Sequence, residues 1–228
     1  MTPAAWGWGN PALSHTLTPE TIAAEAQNPD RAEFLRASVN VWVASDQGWL
    51  QPGTWPALEW LEPVPAGGVL AIENSVDESR YFGLRAVPLP DGRTCLTVAF
   101  VVGTYAEMLQ AAQPYIDQPN IMFAVTPSID LHWPTALERR RQVVGYGEMV
   151  KWTDPVRQLI RQGMVVHSGE TMLAEHMQRA VAVRSQNSIA LSSQRSPGPI
   201  ELARCAVWAT ALASKPKAQG KPAFGIAS

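Results

Sequence analysis

Hydrophobic positions in the middle of the chain fall into three strand-like runs in succession: Val69–Ile72, Tyr81–Leu89 and Thr94–Val102. The last two flank Pro90-Asp91-Gly92, a turn signature that predicts an antiparallel hairpin. The pattern then changes period. Tyr105, Met108, Leu109 and Ala112 share one face of a helix predicted over Thr104–Ile116, and the uninterrupted apolar run Ile121–Val125 suits a strand covered on both faces. Beyond it we expect a short helix over Trp133–Arg141, a brief strand at Val143-Val144, and a helix over Thr153–Gln162 opened by Asp154-Pro155 and closed by Gly163. A short strand, Val165–His167, follows, then a helix over Thr171–Ala182 with Met172, Leu173, His176 and Ala180 inward. A strand at Ile189–Ser192 and an alanine-rich helix over Ile200–Ala213 complete the order. Three meandering strands followed by alternating helices and strands predict an α/β fold. Its mixed sheet would join three antiparallel strands to later parallel ones, with helices on both sides, the plan of ribonuclease H-like folds.

The flanks read differently. Six of the nine tryptophans lie in the first 60 residues. Thr18 caps a helix there with Pro19 in its first turn, Asp30 opens a second helix, and a short helix is expected near Trp55–Leu61. Residues 1–62 are too few and too tryptophan-rich to stand alone, so they are expected to pack as a helical linker segment against a domain spanning 63–214. Residues 215–228 form a basic tail with Pro and Gly, expected to be disordered.

With 228 residues, 46% hydrophobic and 17% charged, the chain can bury one sizeable core. No apolar run approaches the ~18–20 residues of a membrane span, and the N-terminus lacks the pattern of a signal peptide. A cytoplasmic protein with no membrane partner is therefore expected. Cys95 and Cys205, one in a strand-like and one in a helix-like run, read as reduced core residues. The net charge of −2 conceals an asymmetry: residues 1–130 carry 14 acids against 5 bases, residues 131–228 carry 13 bases against 6 acids. A positive half suits a polyanion, and clustered acids suit metal ions; ordinary surface variation explains the split about as well.

No P-loop, zinc-binding spacing or nucleophile elbow occurs, and Gly67-Gly68 precedes a strand, so it is no phosphate cradle. The remaining chemistry is that of carboxylates. Glu73 follows the first strand directly, Asp77 lies at the next turn, Asp130 follows the Ile121–Val125 strand, and Glu201 opens the last helix. Acids converging from separate elements are what two divalent ions ~4 Å apart require, one to activate water and one to stabilise the leaving oxygen of a phosphodiester. Taken singly, an acid at a helix start usually complements the dipole, and Asp77 reads as ordinary surface. His15, His132, His167 and His176 read as structural. Arg139, Arg140, Arg141 and Lys151, with Arg157 and Arg161, form the densest basic zone, suited to DNA phosphates or to a solvated helix face.

Several stretches together resemble a known family. Trp8-Gly-Asn-Pro-Ala-Leu-Ser, Thr18-Pro-Glu-Thr-Ile and Ala32-Glu-Phe-Leu-Arg-Ala-Ser-Val-Asn-Val-Trp42 resemble the segment joining the ATPase and nuclease domains of tailed-bacteriophage terminase large subunits. Gly163-Met-Val-Val-His-Ser-Gly-Glu-Thr-Met-Leu173, Ala180-Val181 and Arg195-Ser-Pro-Gly-Pro-Ile-Glu-Leu-Ala-Arg-Cys-Ala-Val-Trp-Ala209 resemble the end of that family's nuclease domain. The resemblance implies a metal-dependent endonuclease that cuts concatemeric double-stranded DNA during genome packaging in the infected host's cytoplasm, using two Mg²⁺ or Mn²⁺ ions. It implies as partners a terminase ATPase unit, the small terminase and the portal. Glu73 and Glu201 fall where the family usually has Asp, and Asp77 matches a further acid. The middle acid is expected at Thr126, with Asp130 four residues later as its substitute. The ligand set implied is thus Glu73, Asp130 and Glu201, with Asp77 auxiliary and Arg139–Arg141 and Lys151 facing DNA. The alternative is a catalytically degenerate ribonuclease H-like module that binds DNA or a packaging partner without cleaving, and Thr126 favours it. A branched-DNA resolvase is a third reading.

Overall fold

The computed structural model describes residues 18–25, 48–118, 120–185 and 188–215. Its centre is strand β1, Gly68–Asn74, whose interior residues are all buried. Val69 and Ala71 enter one half of the core and Leu70 and Ile72 the other, as the two-residue period of a strand dictates. β1 pairs antiparallel with β2 (Tyr81–Pro88), which pairs antiparallel with β3 (Thr94–Val102). It pairs parallel with β4 (Ile121–Val125), with Ile72 opposite Val125. β5 (Arg141–Val143) joins the outer side of β4, and β6 (Val165–His167) joins β3, both parallel. The sheet order is therefore β5-β4-β1-β2-β3-β6, the mixed ribonuclease H-like sheet expected from the sequence. Gly68 has a positive φ of 93°, and a Cβ there would meet the Ala86 carbonyl of β2, so only glycine lets β1 begin this close to its neighbour.

Helix α1 (Pro19–Glu25) opens as expected, with the Thr21 N–H donating to Thr18 Oγ1 at 3.3 Å. Helix α2 (Tyr105–Ile116) and the single turn α3 (Pro127–Asp130) cover the Leu70/Ile72 face, placing Met108, Ala112 and Ile129 against Phe123 and Val125. Thr104 and Glu107 form a capping box at the start of α2. The opposite face is covered by α4 (Tyr146–Arg161), α5 (Thr171–Arg179) and α6 (Glu201–Ala213), with Trp208 fully buried. Among the described residues, no helix is long and apolar enough to cross a membrane. Cys95 and Cys205 are both free and buried, as expected.

Four local features depart from the sequence reading. β1 runs on through Glu73 and Asn74, so Glu73 lies inside the strand. α4 starts at Tyr146, seven residues before the expected start: the Glu148 carboxylate accepts the Gly145 N–H at 3.0 Å, and Met149 and Trp152 are buried upstream of Asp154-Pro155. Pro155 sits inside the helix because burial of Met149, Trp152 and Val156 outweighs one missing backbone bond. β5 begins at Arg141, and the residues before it, Thr135–Arg140, form a 3-10 helix. α5 ends at Arg179, so Ala182–Ser185 becomes a strand, β7, paired with β8 (Ser188–Leu191), while Met172 is 42% exposed.

Part of the tryptophan-rich segment packs as expected. The Trp49 N–H donates to the Ala180 carbonyl at 2.8 Å and the Trp60 N–H to that of His167 at 2.7 Å. Trp55 stacks on His167 with ring centroids 4.3 Å apart. The His167 ring accepts the Gly169 N–H at Nδ1 and bonds the Trp55 carbonyl through Nε2, so both nitrogens serve structure. The helix expected from Asp30 and the tail beyond Lys215 lie outside the described residues.

Candidate functional site

Glu73 follows Val69 and Ala71 in the strand's alternation and so points to the face covered by α6. It is 4% exposed. From α6, Arg204 reaches across to it, with Nη2 2.9 Å from Glu73 Oε1. The guanidinium is fixed from two further directions: it lies 5.2 Å from the centre of the Trp208 ring, and Nη1 donates to Ser193 Oγ at 3.3 Å. Glu201, one helical turn before Arg204, is close enough for its charge to act on Glu73.

Burial pushes the Glu73 carboxyl up to about 8; Arg204 works against this and Glu201 adds to it. Near neutral pH, Glu73 therefore carries a proton most of the time. Its second oxygen, Oε2, has no hydrogen-bond partner, and neither has Glu201 Oε2. Cys205, beside this pair on α6, has its thiol held well above the usual range by burial first, then by the charges of Glu73 and Glu201. It is no thiolate ligand.

His176 on α5 closes the far side of Glu201, its Nδ1 3.9 Å from Glu201 Oε2. That nitrogen accepts the Leu202 N–H at 3.1 Å, so the imidazole caps the N-terminus of α6 as a neutral ring. Burial, and then the nearby Arg179, pull its pKa down to about 4. The packed, structural role expected for His176 is the one observed, and its contact with Glu201 is not an ion pair.

Thr126 is the first residue beyond β4. It follows Val125, the register partner of Ile72, and caps the start of α3, one residue beyond the last pair of β1 with β4. It is buried, and its hydroxyl is 3.2 Å from Ser128 Oγ, which donates to Asn74 Oδ1 at 2.6 Å. The first position beyond β4 is thus filled by a short neutral hydroxyl that, through Ser128, is linked to Asn74 at the end of β1. Asp130, a full turn later on α3, goes elsewhere: its carboxylate lies 2.6 Å from Arg141 Nη1 of β5, on the outer side of β4. It does not figure among the charges felt by Glu73.

The structure therefore places Glu73 and Glu201 on packed elements, each within reach of the other's charge, and takes Asp130 to a different partner. Asp77 is exposed in the β1–β2 turn, where it accepts hydrogen bonds from Ser75 and Ser79, and these hold its pKa down to about 2. Of the basic residues, Arg140 donates to the Ile116 and Gln118 carbonyls at the end of α2 and lies over Phe123. With Arg141 on Asp130, both guanidiniums are engaged within the chain. Arg139 and Lys151 are exposed. The residue that sequence reasoning misses is Arg204. Its spacing of three from Glu201 is visible in the sequence, but only the fold lays that turn of α6 over the end of β1.

The donor set does not fit two divalent ions. Among the described residues, no group of three or more His, Cys, Asp or Glu is arranged to hold a metal. Glu73 is held by an internal guanidinium and favours a proton at neutral pH. Hard cations need several anionic oxygens free to approach.

Comparison with solved structures gives the fold a counterpart. The HK97 bacteriophage large terminase superposes with a TM-score of 0.51 and 14% sequence identity, over 93% of this chain and 53% of that one. The chain shares the fold of part of that terminase. The chain spans about half the length of that terminase. The large terminase of a thermophilic bacteriophage, in its third crystal form, gives a TM-score of 0.48 at 10% identity, over 87% of this chain and 53% of that one. The large terminase nuclease of thermophilic phage G20c, a structure with bound magnesium, gives 0.46 at 10% identity, over 73% of this chain and 98% of that one. No protein-family model matches the sequence, and neither does any curated protein. The resemblance to terminase large subunits drawn from sequence motifs agrees with the fold.

Proposed function

We propose that this chain is the nuclease-fold module of a phage DNA-packaging terminase whose metal centre is closed from within, and that it binds double-stranded DNA without cutting it. One observation carries this reading. At the carboxyl ends of β1 and β4, where hydrolysis by two metals needs converging free carboxylates, Glu73 is held by Arg204 and the first residue beyond β4 is the neutral Thr126. Asp130, the only acid just downstream, is neutralised by Arg141. The metal-dependent endonuclease reading needs all three acids in one pocket.

DNA binding is supported by charge. Residues 131–228 carry 13 bases against 6 acids, and Arg139 and Lys151 extend exposed side chains with no ion-pair partner among the described residues. Such contacts hold phosphates without reading sequence. In this setting an ATPase unit, on the same or another polypeptide, supplies translocation, and the small terminase and portal complete the machine in the cytoplasm of the infected host.

Supercoiled plasmid incubated with the protein and Mg²⁺ or Mn²⁺ is expected to stay supercoiled. Labelled duplex DNA should be retarded in a gel, with affinity falling steeply as salt rises. Replacing Arg139 and Lys151 together by Gln is expected to lower the salt slope by about 2. Metal-dependent nicking that EDTA stops and Glu73→Gln abolishes would establish the endonuclease instead.

A further inference from the structure

Where α6 packs on the end of β1, the buried acid Glu73 is met by a cation of the chain's own, Arg204. Glu73 lies on β1 and Glu201 opens α6, near enough for the charge of Glu201 to raise the Glu73 carboxyl. Glu73 Oε2 and Glu201 Oε2 are buried and accept no hydrogen bond. Buried carboxyl oxygens without donors are costly unless positive charge stands near them. The charge on hand is the Arg204 guanidinium, 2.9 Å from Glu73 and braced by Trp208 and Ser193. Those braces matter: a guanidinium packed on an indole and tied to a serine hydroxyl is not a loose surface side chain.

We infer that Arg204 occupies the place of a divalent cation, so that this protein excludes Mg²⁺ and Mn²⁺ while Arg204 is present, and that its removal opens the Glu73–Glu201 pocket to such an ion. Arg204 is thus a positioning residue that holds Glu73 in place of the metal. The inference rests on the proposed non-cleaving function but is tested apart from it, because it concerns ion binding and not DNA cleavage.

The experiment is thermal unfolding with and without MnCl₂, on the wild-type chain, on Arg204→Gln, and on Arg204→Gln combined with Thr126→Asp. The second substitution supplies an acid at the first position beyond β4, after the register partner of Ile72. Wild type is expected to show no Mn²⁺-dependent shift. The double variant is expected to rise by ~5 °C at Mn²⁺ concentrations about 100-fold above its Kd, and Arg204→Gln alone by less. Adding Glu73→Gln to the double variant should remove the gain. If the double variant does not fold, loss of the free Mn²⁺ paramagnetic resonance signal on titration with Arg204→Gln reads the same binding, with Arg204→Lys, which keeps a cation, as the non-binding control. An equal Mn²⁺ shift in wild type would overturn the inference, since the ion would enter with Arg204 in place. So would the absence of Mn²⁺ binding in every variant lacking Arg204. Plasmid nicking by wild type without any Mn²⁺ binding at Glu73 would defeat the proposed function and leave this inference standing.

Discussion

Stability is expected to fall by about 2 kcal/mol between pH 6.5 and pH 8, and Glu73→Gln is expected to abolish the fall. In the folded chain the Glu73 carboxyl is raised from 4.5 to about 8, so between those values the folded state binds more protons than the unfolded state. The stabilisation is complete below 4.5 and is lost as pH rises through 8. His176 acts with the opposite sign: its pKa is lowered from 6.5 to about 4, so the folded state binds fewer protons in that window and stability rises with pH. From 4.5 to 6.5 the two slopes largely cancel. Above 6.5 His176 is neutral in both states and Glu73 acts alone. Each pKa unit corresponds to ~1.4 kcal/mol, which gives the expected size over the remaining interval. The thiols titrate above this window, with Cys95 raised to about 11. Urea unfolding at a series of pH values checks the result. Replacing His176 by Asn should expose the Glu73 slope down to pH 4.5, whereas an unchanged slope in Glu73→Gln would place the proton elsewhere.

Trp208→Ala is expected to cost ~3–5 kcal/mol, a large share of the ~5–15 kcal/mol by which such domains are stable. The side chain is fully buried in α6, at the centre of the core between the sheet and α4 and α5. Truncation leaves a cavity that rigid strands on one side cannot fill. It also removes the surface on which Arg204 rests. Trp208→Phe should cost far less, because the indole Nε1 has no hydrogen-bond partner to lose. Chemical denaturation midpoints at constant slope separate the two variants, and similar costs for Ala and Phe would mean that packing at this position is not what stabilises the domain.

The sheet is legible in the sequence because its strands are short apolar runs bounded by turn chemistry, and their order admits few pairings. Ile121–Val125 and Tyr105–Ile116 have nearly the bounds that periodicity predicts. The start of α4 is not legible, because Asp154-Pro155 is a strong local start signal, and what overrides it, burial of Met149 and Trp152, is tertiary. Glu73 and Glu201 are legible as candidates because the sequence pattern puts each next to the boundary of an element, although β1 in fact runs on past Glu73. Arg204 is not, since Glu-x-x-Arg on a helix reads as a solvated ion pair until β1 is laid beneath it. The basic run Arg139-Arg140-Arg141 shows the converse. Three adjacent guanidiniums suggest one phosphate-facing surface, yet the 3-10 helix and the early start of β5 send Arg140 to the end of α2 and Arg141 to Asp130. Asp130 itself is ambiguous in sequence because one turn of helix after Thr126 decides its direction.

The measurement that bears most directly on the closed centre is an anomalous difference map from crystals of the wild-type chain soaked in MnCl₂. No manganese peak is expected between Glu73 and Glu201, and Arg204 should remain within hydrogen-bond distance of Glu73. A peak bound by both carboxylates, with the guanidinium turned out toward solvent, would contradict the closed centre and return the chain to the metal-dependent nucleases.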